Sequence, residues 1–228
     1  VDSVILFLSK AIKEENKTCR FGISPFGVWR NIDKDPEGSA TQAGQTNYDD
    51  LYADILLWLK MGWIDYVAPQ LYWEFGQPRA PYEVLLDWWS KHTYGKHCYI
   101  GLAPYRANSN PAWKDKTQLP RQIQALRNTP NIQGMIFFSS KSFATNPNGW
   151  SDSLRLNYFA QPAAIPSMSW IQSSNSAKPV LKVKTSSSSA NFIEIEVNSA
   201  TATNLVKNYL VYEVSNYTSD SSSAQARK

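Results

Sequence analysis

Hydrophobic and polar positions along this chain switch repeatedly between a helical period and short apolar runs. Val4, Ile5, Leu8 and Ile12 share one helical face, and Lys13 to Lys17 is its polar exit. Cys19-Arg20-Phe21-Gly22-Ile23 reads as a strand, which Ser24-Pro25-Phe26-Gly27 closes because proline and glycine interrupt the ladder. Tyr48, Leu51, Tyr52, Ile55 and Leu59 predict a second helix, with Asn47 and Asp50 in capping-box register and Gly62 as its stop. Ile64 to Ala68 is an apolar run short enough for a strand buried on both faces. A third helix opens at Pro81, carries Leu85, Trp88, Trp89 and His92 on one face, and stops at Gly95. Tyr99 to Ala103 is the next strand. Thr117 and Pro120 open a helix with Leu119, Ile123 and Leu126 inward; Ile132 to Phe138 is the last strand of the series, and Trp150 to Phe159 a final helix.

Strand starts near 20, 64, 98 and 133 alternate with helices, which implies right-handed crossovers and a parallel sheet. Four such units are half of a (β/α)8 barrel of ~250 residues. A self-contained, four-stranded doubly wound sheet is the rival. No glycine-rich phosphate loop follows any strand, which removes the commonest nucleotide-binding version.

The pattern changes at Ala160-Gln161-Pro162-Ala163-Ala164-Ile165-Pro166. Beyond it, Val180 to Lys184, Phe192 to Val197 and Tyr209 to Val214 alternate with period two between serine-rich stretches, as in a β-sandwich. Only three or four strands fit, fewer than the seven of a complete sandwich. The reading therefore places a β/α domain at 1–160, a linker at 161–168 and a partial β module at 169–228, ending in a disordered tail from Ser219.

With 228 residues, 43% of them hydrophobic, the chain can bury a sizeable core. A net charge of +4 without a basic block argues against nucleic acid as a partner. No run of 18 apolar residues predicts a membrane span, and no N-terminal signal is visible, although the sequence begins at Val1 inside what reads as a helix. Cys19 and Cys98 form no CxxC pair and His92 and His97 lack ligand spacing, so no metal site or cofactor is expected and both thiols are read as buried and free. Aromatic residues make up 13% of the chain, with nine Trp and twelve Tyr, a surplus that suits flat amphipathic ligands such as sugars as well as core packing.

Several long stretches, taken in order, resemble one family. They are Phe21-Gly22-Ile23-Ser24-Pro25-Phe26-Gly27-Val28-Trp29-Arg30-Asn31, Glu37-Gly38-Ser39-Ala40-Thr41, Tyr48 to Asp54, and Gly62-Trp63-Ile64-Asp65-Tyr66-Val67-Ala68-Pro69-Gln70-Leu71-Tyr72-Trp73. Over roughly residues 1 to 160 the chain is similar to the bacterial glycosyl-hydrolase-like family ten, whose catalytic domain is a TIM barrel. The resemblance implies the C-terminal half of that barrel, followed by part of a fibronectin-like or immunoglobulin-like module. It implies an exported protein of the bacterial periplasm or cell surface, a glycosidase acting on polysaccharide, with peptidoglycan glycan strands as one substrate. The family's strand ending in paired aspartates is absent, so the resemblance also implies a missing N-terminal half-barrel as partner, or self-association in its place.

Glycosidases of the usual kind need two carboxyl groups. Glu74, just past the strand from Ile64, is the best-placed local candidate, since Tyr72 and Trp73 beside it can desolvate an acid. Asp33, Asp35 and Glu37 read as loop residues. Trp29, Arg30, Asn31, Gln70, Tyr72, Trp73 and Tyr105 follow strand ends, where guanidinium and amide groups can bond sugar hydroxyls and rings can stack on pyranose faces. A non-catalytic carbohydrate-binding or scaffold fragment is the alternative, because the acid pair is incomplete here.

Overall fold

The computed structural model describes residues 1–171, 180–184 and 194–198. Val1–Trp170 belongs to one compact unit and Ile171–Ser223 to a second. The first contains α1 (Asp2–Glu15), β1 (Gly22–Ile23), α2 (Ile55–Lys60), β2 (Tyr66–Val67), α3 (Tyr82–Lys91), β3 (His97–Leu102), α4 (Pro111–Lys114), α5 (Gln118–Asn128), β4 (Gly134–Phe137) and α6 (Trp150–Ser153). The described part of the second is an antiparallel pair, β5 (Val180–Lys184) and β6 (Glu194–Asn198), with Val183 opposite Ile195. The Tyr209–Val214 run and the expected tail lie outside the described residues. Among the described residues no helix is long and apolar enough to cross a membrane.

The four strands of the first unit are parallel and lie in the order β1-β2-β3-β4. Bridges from Phe26 to Gln70 and from Gln70 to Gly101 prolong the ladder past the short strands. Sequential order without reversal places successive right-handed crossovers on one face. A doubly wound sheet requires a reversal of order, so the architecture fits a TIM-barrel-like fold instead. Burial agrees. Val67, Cys98, Ile100 and Leu102 are fully buried in a core shared with Leu85, Trp89, Leu119 and Ile123 of α3 and α5. The opposite face carries Tyr66 and Tyr99, partly exposed, and Ile136, 47% exposed.

Two of the expected elements change. The helix predicted from Tyr48 to Leu59 forms only over α2, and Asp54, not Asn47, caps it by accepting from the Leu57 N–H. The Asn47 amide is committed elsewhere, donating to the carbonyls of Phe26 and Val28, and Tyr52 sits at φ 53°, outside the helical region. The helix does end as predicted, at Gly62 with φ 66°. The second change is Trp170, read above as part of the β module. It belongs to the first unit, where its indole N–H donates to Asp65 at 2.9 Å. Asp65 also accepts from the Lys13 ammonium at 2.7 Å and from the Phe21 N–H, so one buried carboxylate joins α1, the start of β1 and the residues after α6.

Both cysteines are free, as expected, but only Cys98 is buried; Cys19 is exposed, because it precedes β1 rather than lying within it. One strand separates them, and two spacings of ~4.8 Å exceed the Cα range of a disulfide, ~4.4–6.8 Å. Burial raises the Cys98 thiol well above its usual range. In the native protein, therefore, a thiol reagent should modify Cys19 quickly and Cys98 only on unfolding, with two thiols titrating in unreduced denaturant. Zero titratable thiols would refute the strand order.

Candidate functional site

At the C-terminal edge of the parallel sheet, the residues following β2, β3 and β4 meet. Tyr72 follows β2, Tyr105 lies in the single turn Pro104–Arg106 after β3, and Phe138 directly follows β4. Their ring centroids stand 5.9 Å (Tyr72–Tyr105), 6.0 Å (Tyr105–Phe138) and 6.1 Å (Tyr72–Phe138) apart. Arg106 fixes the geometry by donating from Nη1 to the Tyr72 carbonyl, and the Phe138 N–H donates to Leu102. Burial, with a smaller contribution from neighbouring Tyr105, raises the Tyr72 hydroxyl above its ordinary value and keeps it a neutral donor.

Glu74 stands next to this cluster along the chain, in surroundings other than the apolar shell expected for an acid. Its Oε1 accepts from Asn110 Nδ2 at 3.0 Å and its Oε2 from the Trp113 indole at 2.9 Å. Asn110 also caps α4 by accepting from the Trp113 N–H, so the carboxylate ties the end of β2 to that helix. Trp73, half-buried, turns away from Glu74 to pack edge-on against Phe26 at 5.3 Å. Its carbonyl accepts from Gln122. Gln70 donates to the Ser24 carbonyl, linking the ends of β1 and β2.

The long loop after β1 has another destination. Trp29 is 5% exposed and stacks on Trp88 of α3 at 6.1 Å. Arg30 pairs with Asp35 at 2.9 Å and Asp49 at 2.8 Å and lies 4.4 Å from the Tyr48 ring centroid. Asn31 accepts from Thr41 and the Ala43 N–H and donates to the Ala43 carbonyl. Glu37 reaches Lys60 at the end of α2, and its carbonyl accepts the Trp88 indole N–H. These partners make Trp29, Arg30 and Asn31 the internal frame of a loop folded over α2 and α3. The structure brings Tyr72 and Tyr105 together, with Glu74 adjacent, and leaves the loop trio with partners of its own. Phe138 escaped the sequence reading because it looks like the last residue of an ordinary apolar strand.

A family model described as glycosyl hydrolase-like 10 matches residues 1–119, just over half of the chain. The chain belongs to this glycosyl hydrolase-like family. It is 42% identical over 200 residues to glycosyl hydrolase YngK of Bacillus subtilis, covering 86% of this chain and 39% of that protein. It is 39% identical over 145 residues to glycosyl hydrolase DigH of Escherichia coli K12, covering 59% of this chain and 33% of that protein, with the same figures for DigH of Shigella flexneri. The chain thus spans between a third and two fifths of the length of these relatives. The glycosyl hydrolase-like match contains Tyr72, Glu74 and Tyr105 and stops before β4 and Phe138.

Proposed function

We propose that this glycosyl hydrolase-like protein acts on polysaccharide of the bacterial envelope, with peptidoglycan glycan strands the substrate to test first and the C-terminal edge of the sheet as its glycan site. The observation that supports this is the meeting of Tyr72 and Tyr105 past the ends of β2 and β3, the edge at which parallel β/α folds hold their ligands, with Glu74 two residues along the chain from Tyr72. The reading includes export to the periplasm or cell surface, where such polymers lie, and assigns residues from 171 onward to an accessory fibronectin-like module. Glu74 contributes one carboxylate. The second, which hydrolysis by the usual acid and nucleophile pair requires, comes in this proposal from β/α units beyond the four described.

One observation favours the alternative, a carbohydrate-binding piece without turnover. Both Glu74 oxygens already accept hydrogen bonds from Asn110 and Trp113, which suits a fixed carboxylate better than a proton donor. The test is to assay the 228-residue chain and its Glu74→Gln variant on denuded peptidoglycan and soluble β-linked glycans. Binding without turnover is expected, with Glu74→Gln also lowering the melting temperature because an amide places an N–H donor against another N–H. Turnover by the wild-type chain that Glu74→Gln abolishes would show a self-sufficient enzyme. Failure to bind any glycan would sink the glycan reading altogether.

A further inference from the structure

The strap that follows α6 is held to the first unit at one end only. Residues 160–165 are exposed, Ile165 to 78%, and among the described residues none from 160 to 170 makes a backbone-to-backbone hydrogen bond with the rest of the unit. Attachment is concentrated in residues 167–170. Met168 is buried, the Ser167 backbone meets the His97 ring, and the Trp170 indole N–H donates to Asp65 Oδ1 at 2.9 Å. The Trp170 ring fills a socket on the N-terminal edge of the sheet, edge-on to His97 at 5.2 Å, with the Lys96 ammonium 4.5 Å from its centroid. An indole suits this socket, because it offers a donor to the carboxylate and a negative face to the ammonium. The chain leaves the first unit directly after it, at Ile171.

The socket carries more positive than negative charge. Asp65 already accepts from Lys13 at 2.7 Å, Lys96 stands over the indole, and Arg20 acts on His97 from the residues before β1. The other titratable groups facing His97 are Tyr99, whose hydroxyl is 3.0 Å away, and Tyr66, its register partner on β2, neither of them a carboxylate. A proton on His97 therefore places a fourth cation beside the Asp65 carboxylate, against the ring by which the strap docks. We propose that Trp170 is a releasable clasp, shut at neutral pH and opened by mild acid, that sets the length of the tether to the second unit. Burial lowers the His97 pKa and Arg20 adds to this, with the Ser167 backbone opposing. The docked strap thus resists a proton that the undocked one admits. Docking is at full strength above the ordinary histidine value, about 6.5, and weakens as pH falls from there. Release frees residues 160–170, which reach up to ~35 Å when extended, and so widens the volume the second unit can sample.

The test labels the full chain with 5-fluorotryptophan, whose nine tryptophans give nine fluorine lines, and assigns the Trp170 line by its loss in Trp170→Phe. Between pH 8 and pH 5 that line should move to the position of an exposed tryptophan while the others stay dispersed. His97→Gln should keep it docked down to pH 5. At pH 8, proteinase K should cut Trp170→Ala within residues 160–170 about tenfold faster than wild type, since cleavage follows the population of the open strap. The remaining fluorine lines confirm that each variant is folded. A Trp170 line unmoved at pH 5 would overturn the acid-opened clasp. Nine lines moving together would mean that the unit unfolds as a whole, which overturns it equally. Release of His97→Gln at the wild-type pH would remove the trigger assigned to His97. Equal cleavage of wild type and Trp170→Ala would show that the strap is held without its indole, and the clasp would fall.

Discussion

Trp89→Ala should bring the first unit to the limit of its stability, lowering the melting temperature by about 10 °C or more at the 2–4 °C per kcal/mol typical of a protein this size. Trp89 is fully buried at the centre of the core, edge-on to Trp88 at 4.9 Å. Its indole N–H donates to the Gly27 carbonyl at 2.8 Å, joining α3 to the end of β1. Truncating a buried aromatic of this size costs ~3–5 kcal/mol, and a buried carbonyl left without its donor costs ~1–3 kcal/mol more. That sum rivals the whole stability of an ordinary domain, ~5–15 kcal/mol. Trp89→Phe restores most of the volume and none of the hydrogen bond, so its melt should fall between wild type and the alanine variant. A Trp89→Ala melt within 2 °C of wild type would refute this account of the core.

Acid should destabilise the protein in two stages, both traced to the N-terminal edge of the sheet. His97 is 6% exposed, edge-on to Trp170 at 5.2 Å and 3.0 Å from the Tyr99 hydroxyl. Burial lowers its pKa, with Arg20 adding to the effect and a backbone contact at Ser167 opposing it. The folded state therefore resists a proton that the unfolded chain accepts. The stability His97 provides is fully present above its unfolded value, about 6.5, and is lost as pH falls from there. Asp65 acts lower on the scale. Burial alone would raise its pKa, but the Lys13 ammonium, the Phe21 N–H and the Trp170 indole together hold it below the ordinary carboxylate value. Its contribution is present above an unfolded value of about 3.9 and disappears as pH drops through the depressed folded one. Denaturant midpoints measured from pH 8 to pH 3 should fall first below about 6.5 and again below about 4. His97→Gln should remove the first fall and Asp65→Asn the second, the latter from a lower starting stability because Lys13 loses its partner. A flat profile between pH 8 and pH 5 would refute the role given to His97.

Much of this molecule is determined by local pattern. Leu119, Ile123 and Leu126 recur at helical spacing, and α5 buries all three. The apolar runs near 64, 98 and 133 become parallel strands in sequence order, because each can bury one face only beside its neighbour. Gly62 ends its helix for a reason visible in one residue, the left-handed φ it adopts. Glu74 and Tyr105 are recognisable as strand-end residues from the chain alone. Tertiary structure decided the rest, wherever a polar group found a partner far along the chain. Asn47 reads as a helix cap three residues from Asp50, but the carbonyls of Phe26 and Val28 about twenty positions away take its amide, and the helix starts later. Arg30 and Asn31 read from the sequence as polar strand-end groups, and only the folded chain shows their partners, Asp49 for Arg30 and Thr41 and Ala43 for Asn31. Trp170 sits in a stretch with no periodicity; its place is fixed by the Asp65 oxygen that Lys13 and Phe21 do not use and by packing against His97 and Lys96. Phe138 is an ordinary strand residue in sequence. Its exposure and its two ring neighbours arise from strand register across β2, β3 and β4, a relation between segments more than thirty residues apart that no local pattern contains.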